Sequence, residues 1–277
     1  MGIALFSGMD GVMKSASLAV GAYSAFFLRS VIGFLIISPV WLWMKPEWPK
    51  IEALKIHCIR GSVVAVMGWS FFFSLTRLPL AEAIALSFIA PLIALYLAAA
   101  ILGEKVRKKA ITAALIGFAG VLIIVGGKIG QELMTKEATL GLLALLFSAF
   151  LYAWNLILQR QQALLASPLE VSTFQNGIVA SLLLLASPFL LIIPDTLRSW
   201  IDIISGALLG VGAGLFLTWS YKRAEAQILV PIEYTGFLWA ALLGWLMFNE
   251  DLTFSTIIGA TFIISGCVLA AQKGKAS

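Results

Sequence analysis

With 277 residues, 61% of them hydrophobic and only 12% charged, and a mean hydropathy of +0.99, the chain has too little polar surface to cover a soluble domain of its size. It reads as an all-α integral membrane protein. A net charge of +5 and a pI near 9.3 would suggest a nucleic-acid partner in a soluble chain. Here the Lys and Arg residues gather in short connections between apolar segments, where they orient a membrane protein, so no nucleic-acid partner is expected.

Hydropathy and punctuation predict ten spans, at 3–21, 24–44, 57–76, 80–102, 108–126, 138–158, 170–193, 201–221, 228–248 and 254–272. The first is unusually polar. No basic stretch precedes it, and Asp10 and Lys14 interrupt its apolar core, so it is expected to be a span rather than a signal peptide. Ser7, Asp10, Lys14 and Ser17 fall along one helical face. Asp10 and Lys14, at i and i+4, are expected to pair, and the stripe should face protein or a water-filled cavity rather than lipid. A purely structural ion pair is the competing reading. In the second span Arg29 is expected to snorkel towards the interface.

His57, Cys58 and Cys267 are the whole inventory of His and Cys, too few and too scattered for a disulfide framework or a metal cluster, so no metal or other cofactor is expected. The fourth span, Leu80 to Leu102, carries only Glu82 and has Pro91 in its middle. At about 1.5 Å per residue it is long enough for roughly 30 Å of hydrocarbon. The sixth span repeats the polar stripe of the first with Ser148, Tyr152, Asn155 and Gln159; such groups either line a cavity or join helices together. The Gly-rich run from Gly206 to Gly214 opens an apolar span with no strand before it, which points to close helix packing rather than a nucleotide loop. In the ninth span Glu233 and Tyr234 follow Pro231, so a costly carboxyl lies beside a proline-freed carbonyl. Trp41, Trp43, Trp48 and Trp200 fit an interfacial belt, whereas Trp69, Trp154, Trp219 and Trp239 lie deeper, in core packing or around a substrate.

Sliding the sequence by 146 residues places Gly68 on Gly214, Ser74 on Ser220, Arg77 on Arg223, Glu104 on Glu250 and Gly120 on Gly266 without a gap. The chain therefore reads as a duplication, residues 1–127 and 138–272, each of five spans. An odd number of spans inverts the second copy. Lys45, Lys50, Lys55, Arg60, Lys105, Arg107, Lys108, Lys109, Arg160, Lys222, Arg223, Lys273 and Lys275 fall on the side shared by both termini, against Arg77, Lys128, Lys136 and Arg198 on the other. Both termini are thus expected in the cytoplasm. Two inverted five-helix repeats are a recurrent architecture of secondary transporters, with the substrate site where the halves meet.

Several motifs carry a family likeness: Leu78-Pro79-Leu80-Ala81-Glu82-Ala83, Ala90-Pro91-Leu92, Leu102-Gly103-Glu104 and Gly117-Phe118-Ala119-Gly120-Val121. They resemble the EamA family of the drug/metabolite transporter superfamily, over nearly the whole chain. The chain departs from the pattern at Phe237, where the first copy has Pro91; the second copy's proline is Pro231, so any kink there should lie nearer the start of the span. The resemblance implies a carrier in a bacterial inner membrane, moving small metabolites without direct use of ATP; a monomer is expected. No G-x-x-x-x-G-K-[ST] stretch contradicts this.

The likeness extends to YddG-type amino acid exporters, which implies export of amino acids, aromatic and other apolar ones among them; uptake of a nucleoside-like cofactor such as S-adenosylmethionine, or of a vitamin, is the alternative. The residues expected at the substrate are Asp10, Lys14, Trp69, Trp154, Asn155, Trp219, Glu233 and Tyr234. One His and scattered acids argue against an enzyme, and the lack of a ring of like charges argues against a channel.

Overall fold

A computed structural model describes residues 1–45, 47–102, 108–129, 136–225, 229–250 and 254–271; among them every regular element is a helix. The ten predicted spans all coincide with helical segments. Glu104, Lys105, Arg107, Lys273 and Lys275, used above for the repeat and the orientation, lie outside the described residues, as does the side chain of Cys267.

The first two spans form one long element, α1 (Gly2–Trp43), bent at Gly21, where φ is 81° and ψ 150°. That backbone region is nearly closed to residues with a Cβ, so the glycine divides α1 into two arms. Next come α2 (Ile51–Leu75), then α3 (Leu80–Ser87) and α4 (Ile89–Leu102), which share the fourth span. The break at Phe88 follows from Pro91, which has no N–H for the carbonyl of Ser87. Helix α5 (Lys108–Ile129) continues through Gly126 and Gly127, where a break was expected.

The second half holds α6 (Lys136–Leu165), α7 (Pro168–Leu184) and the short α8 (Ser187–Leu190). The seventh span is thus shorter than predicted: Pro188 has no N–H for Leu184, and the chain beyond Leu190 is extended. A single long helix follows, α9 (Leu197–Arg223). The ninth span begins as a 3-10 turn (Val230–Thr235) around Pro231 and straightens into α10 (Gly236–Phe248), which puts its irregularity at the start of the span. Helix α11 (Phe254–Ala271) closes the fold. Helices α1, α2, α6 and α9 are each long and apolar enough to cross a membrane.

Two antiparallel helix pairs organise the bundle. The first arm of α1 runs along α9, with Ser15 Oγ donating to Asp202 Oδ2 at 2.6 Å near one end and Gly2 beside Phe216 near the other. Small residues permit the approach: a Cβ at Gly206 would stand 2.7 Å from Met13 Sδ. The Gly-rich run is therefore a packing surface. Helix α2 runs along α6 in the same manner, with Ser148 Oγ donating to the Met67 carbonyl at 2.9 Å. The second arm of α1 packs on α7, and α5 packs on α11 to one side.

Candidate functional site

The helix pairs enclose a cavity of about 160 Å³ whose wall comes from α1, α2, α3, α6, α7, α9 and the 3-10 turn. Because α1 and α6 turn their polar stripes towards it, the cavity is polar on two sides. From α6 all four stripe residues, Ser148, Tyr152, Asn155 and Gln159, line it. From α1 come Ser7 and Asp10. Phe6, Phe26, Phe71, Phe72 and Phe88 supply its apolar lining.

Four acidic or basic side chains meet this space: Asp10, Arg29, Arg60 and Glu233. Asp10 is 2% exposed, and its Oδ1 has no hydrogen-bond partner among the described residues. Arg29 stands opposite in charge, its Nη1 against Met9 Sδ at 2.8 Å and its guanidinium 5.1 Å from the centre of the Phe26 ring. Its Nε is likewise without a partner there. Asp10 and Arg29 line the same cavity without forming an ion pair. Buried polar groups with unmet valences cost free energy unless something completes them, so this pair is where a polar ligand would gain most.

Arg60 anchors a chain of hydrogen bonds on another side. Its Nε donates to Asn155 Oδ1 at 2.9 Å and its Nη1 to Gln162 Oε1 at 2.5 Å. The Gln162 amide donates to His57 Nδ1 at 2.5 Å, which leaves His57 Nε2 to donate to Glu170 Oε1 at 3.0 Å. His57 is fully buried and stacks on Phe174 at 4.7 Å, so it is a structural link between α2, α6 and α7 rather than a bystander. Glu233 is held by the hydroxyls of Tyr152 and Tyr221, the latter at 2.8 Å.

The expected pairing of Asp10 with Lys14 does not form. Lys14 Nζ instead meets Glu250 Oε1 at 2.7 Å and the Leu78 carbonyl at 3.1 Å, and Glu250 also accepts from the Leu80 N–H at the start of α3. Three segments are thereby tied together outside the cavity. An i,i+4 partner can offer one carboxylate, whereas the Leu78–Glu250 corner offers a carboxylate and a carbonyl to the same ammonium.

Of the other expected residues, Asn155 and Glu233 line the cavity. Trp69, Trp154 and Trp219 do not: they are 41%, 41% and 51% exposed on the outside of the bundle. Tyr234 is fully buried but points away, its ring edge-on to Phe88 at 4.8 Å and against Gly117. The aromatic character expected of the tryptophans is supplied by phenylalanines, which in so apolar a sequence give no distinguishing signal. Arg29 and Arg60 were also misplaced by sequence reasoning, as a snorkelling residue and a connection residue; both are buried.

Known proteins of like sequence point one way. The EamA-like transporter family matches at residues 1–126 and 139–272. The pseudopaline exporter CntI of Pseudomonas aeruginosa (strain UCBPP-PA14) is 27% identical over 275 residues, spanning 98% of this chain and 93% of its own. An S-adenosylmethionine uptake transporter of Rickettsia prowazekii is 23% identical across 97% of this chain and 89% of its own. The aromatic amino acid exporter YddG of Ancylobacter novellus is 26% identical over 206 residues, 72% of this chain and 68% of its own. A solved crystal structure, 21% identical, superposes with a TM-score of 0.76 over 97% of this chain and 93% of its own, a likeness of fold.

Proposed function

Because the chain belongs to the EamA-like transporter family, and is therefore a multi-pass membrane transporter of small molecules and not an enzyme, we propose that it is a secondary carrier exporting amino acids and amino-acid-like metabolites with apolar or aromatic side chains. One observation carries this reading: Asp10 Oδ1 and Arg29 Nε, opposite in charge and both lacking partners among the described residues, are buried at the same Phe-lined cavity. An amino acid brings an ammonium and a carboxylate about one small molecule apart. Asp10 receives the first, Arg29 the second, and Phe26, Phe72 and Phe88 surround the side chain. The volume is about that of an engineered apolar cavity of roughly 150 Å³ that holds a benzene ring. Exporters among the relatives support the outward direction.

Alternating access in this reading comes from two inverted repeats in a bacterial inner membrane, with both termini cytoplasmic and a monomer as the working unit. The helix pairing supports it. Residue 13 meets residue 206 in α1–α9, and Arg60 meets Asn155 in α2–α6. The 146-residue shift carries 60 onto 206, and aligning Ser7 with Ser148 carries 14 onto 155. Arg77 and Arg223 also repeat one local arrangement, each guanidinium over the aromatic ring four residues earlier, at 3.6 and 4.0 Å.

The test is uptake of a panel of radiolabelled amino acids and of S-adenosylmethionine into proteoliposomes. Saturable movement of L-phenylalanine or L-leucine, lost in Asp10→Asn, supports the reading. Movement of S-adenosylmethionine with no amino acid transported overturns it.

A further inference from the structure

Glu233 is not explained by substrate binding alone. Its carboxyl is 6% exposed, faces the cavity and takes hydroxyl donors on both oxygens, from Tyr221 on Oε1 at 2.8 Å and from Tyr152 on Oε2. No Lys, Arg or His pairs with it among the described residues, whereas the half-buried acids Glu250 and Glu170 face Lys14 and His57; the other fully buried acid, Asp10, is the one already assigned to the substrate. The groups around it are few. Helix α6 brings Tyr152, and its Arg160 is spent on the Tyr221 carbonyl; α9 brings Tyr221. Arg60 of α2 acts on both tyrosines but gives its hydrogen bonds to Asn155 and Gln162. Asp10 and Arg29 of α1 line the same cavity. Helices α4, α5 and α11, which pack on the 3-10 turn, present no hydrogen-bonding partner to Glu233 among the described residues.

We propose that Glu233 is a proton-binding site that couples export to the inward movement of protons, a step that rests on the carrier reading above. A buried carboxylate with phenolic donors but no cation needs a positive charge from elsewhere. A proton supplies it in the empty carrier, and in the loaded one the ammonium that Asp10 holds in the same cavity supplies it through space. From the outer side Glu233 takes a proton from water onto one oxygen. On the cytoplasmic side that O–H bond breaks as the zwitterion enters, and the proton leaves to cytoplasmic water. Each cycle moves one proton inward and one neutral zwitterion outward, so one positive charge moves inward. The site lies beside the Pro231 irregularity, where the backbone departs from the α-helix and the carboxyl can be re-aimed between the two sides.

Two measurements on the full chain decide it. In the first, infrared titration in nanodiscs follows the protonated-carboxyl band of the wild type. A band that titrates, is lost in Glu233→Gln and is displaced in Glu233→Asp supports the site, and an unchanged band in Glu233→Gln overturns it. In the second, L-phenylalanine uptake into proteoliposomes is compared with and without an imposed proton gradient, acid on the side opposite the substrate. The wild type should be accelerated about tenfold, and the ratio for Glu233→Gln should be close to one, whatever its absolute rate. Transport of equal rate with and without the gradient in the wild type overturns the coupling while leaving the carrier reading intact. Absence of any L-phenylalanine transport counts against that substrate, and the infrared titration then decides the proton site alone.

Discussion

Arg60 and Asn155 join α2 to α6 through a hydrogen bond of 2.9 Å between the guanidinium Nε and the amide Oδ1, at the wall of the cavity and shielded from solvent. The contact links helices from the two segments that match the EamA-like family, residues 1–126 and 139–272. It makes Asn155 a supporting residue for a buried cation as well as a cavity-lining one.

Asn155→Ala therefore affects both fold and transport. Losing the acceptor leaves an Arg60 N–H buried and unsatisfied, at a cost of about 1–3 kcal/mol. Thermal melting in detergent should fall accordingly, and L-phenylalanine transport by at least about tenfold, since one decade corresponds to about 1.4 kcal/mol. Unchanged melting would show that Gln162 alone satisfies Arg60.

Asp10→Asn behaves differently. Its Oδ1 has no partner to lose among the described residues, and neutralising a buried charge of that kind is close to neutral for stability. Transport should collapse while melting moves by less than about 1 kcal/mol equivalent. Trp154→Ala is its control: the ring lies outside the cavity, so transport should change by no more than about twofold. Equal losses in the two variants would return the tryptophan to the site.

The Lys14–Glu250 contact is best measured by a double-mutant cycle of Lys14→Met and Glu250→Gln. A part-buried, charge-assisted pair that also caps α3 should show a coupling free energy of about 1–3 kcal/mol in melting experiments. No coupling would mean that the Leu78 carbonyl and the α3 amide hold the two side chains independently.

Topology is open to cysteine labelling. Single cysteines replacing Arg77 and Arg223 should react with a membrane-impermeant maleimide from opposite faces, Arg77→Cys from outside and Arg223→Cys from inside. Labelling from one face would exclude the inverted arrangement. The native cysteines are Cys58 and Cys267, so the experiment starts from the double variant Cys58→Ser, Cys267→Ser.

The sequence by itself determined the class of molecule, the number of helical segments and most of their breaks, because each depends on local properties. Length and hydropathy decide whether a segment can cross a bilayer. Gly21, Pro91 and Pro231 interrupt helices through their own backbone chemistry, whatever packs around them. The α6 stripe was legible for the same reason: helical periodicity alone sets which side chains share a face. Periodicity does not say how that face is rotated against its neighbours or which distant group completes a charge. Lys14 stands one turn from Asp10 yet pairs with Glu250, 236 residues away. Arg60, among basic residues that look like a connection, is the tenth residue of a helix starting at Ile51, about 13 Å along its axis. Only the tertiary structure brought Arg29 and Asp10 to one cavity and left the tryptophans outside it, because a buried charge must find its partner in three dimensions while an apolar ring is accepted by lipid and core alike.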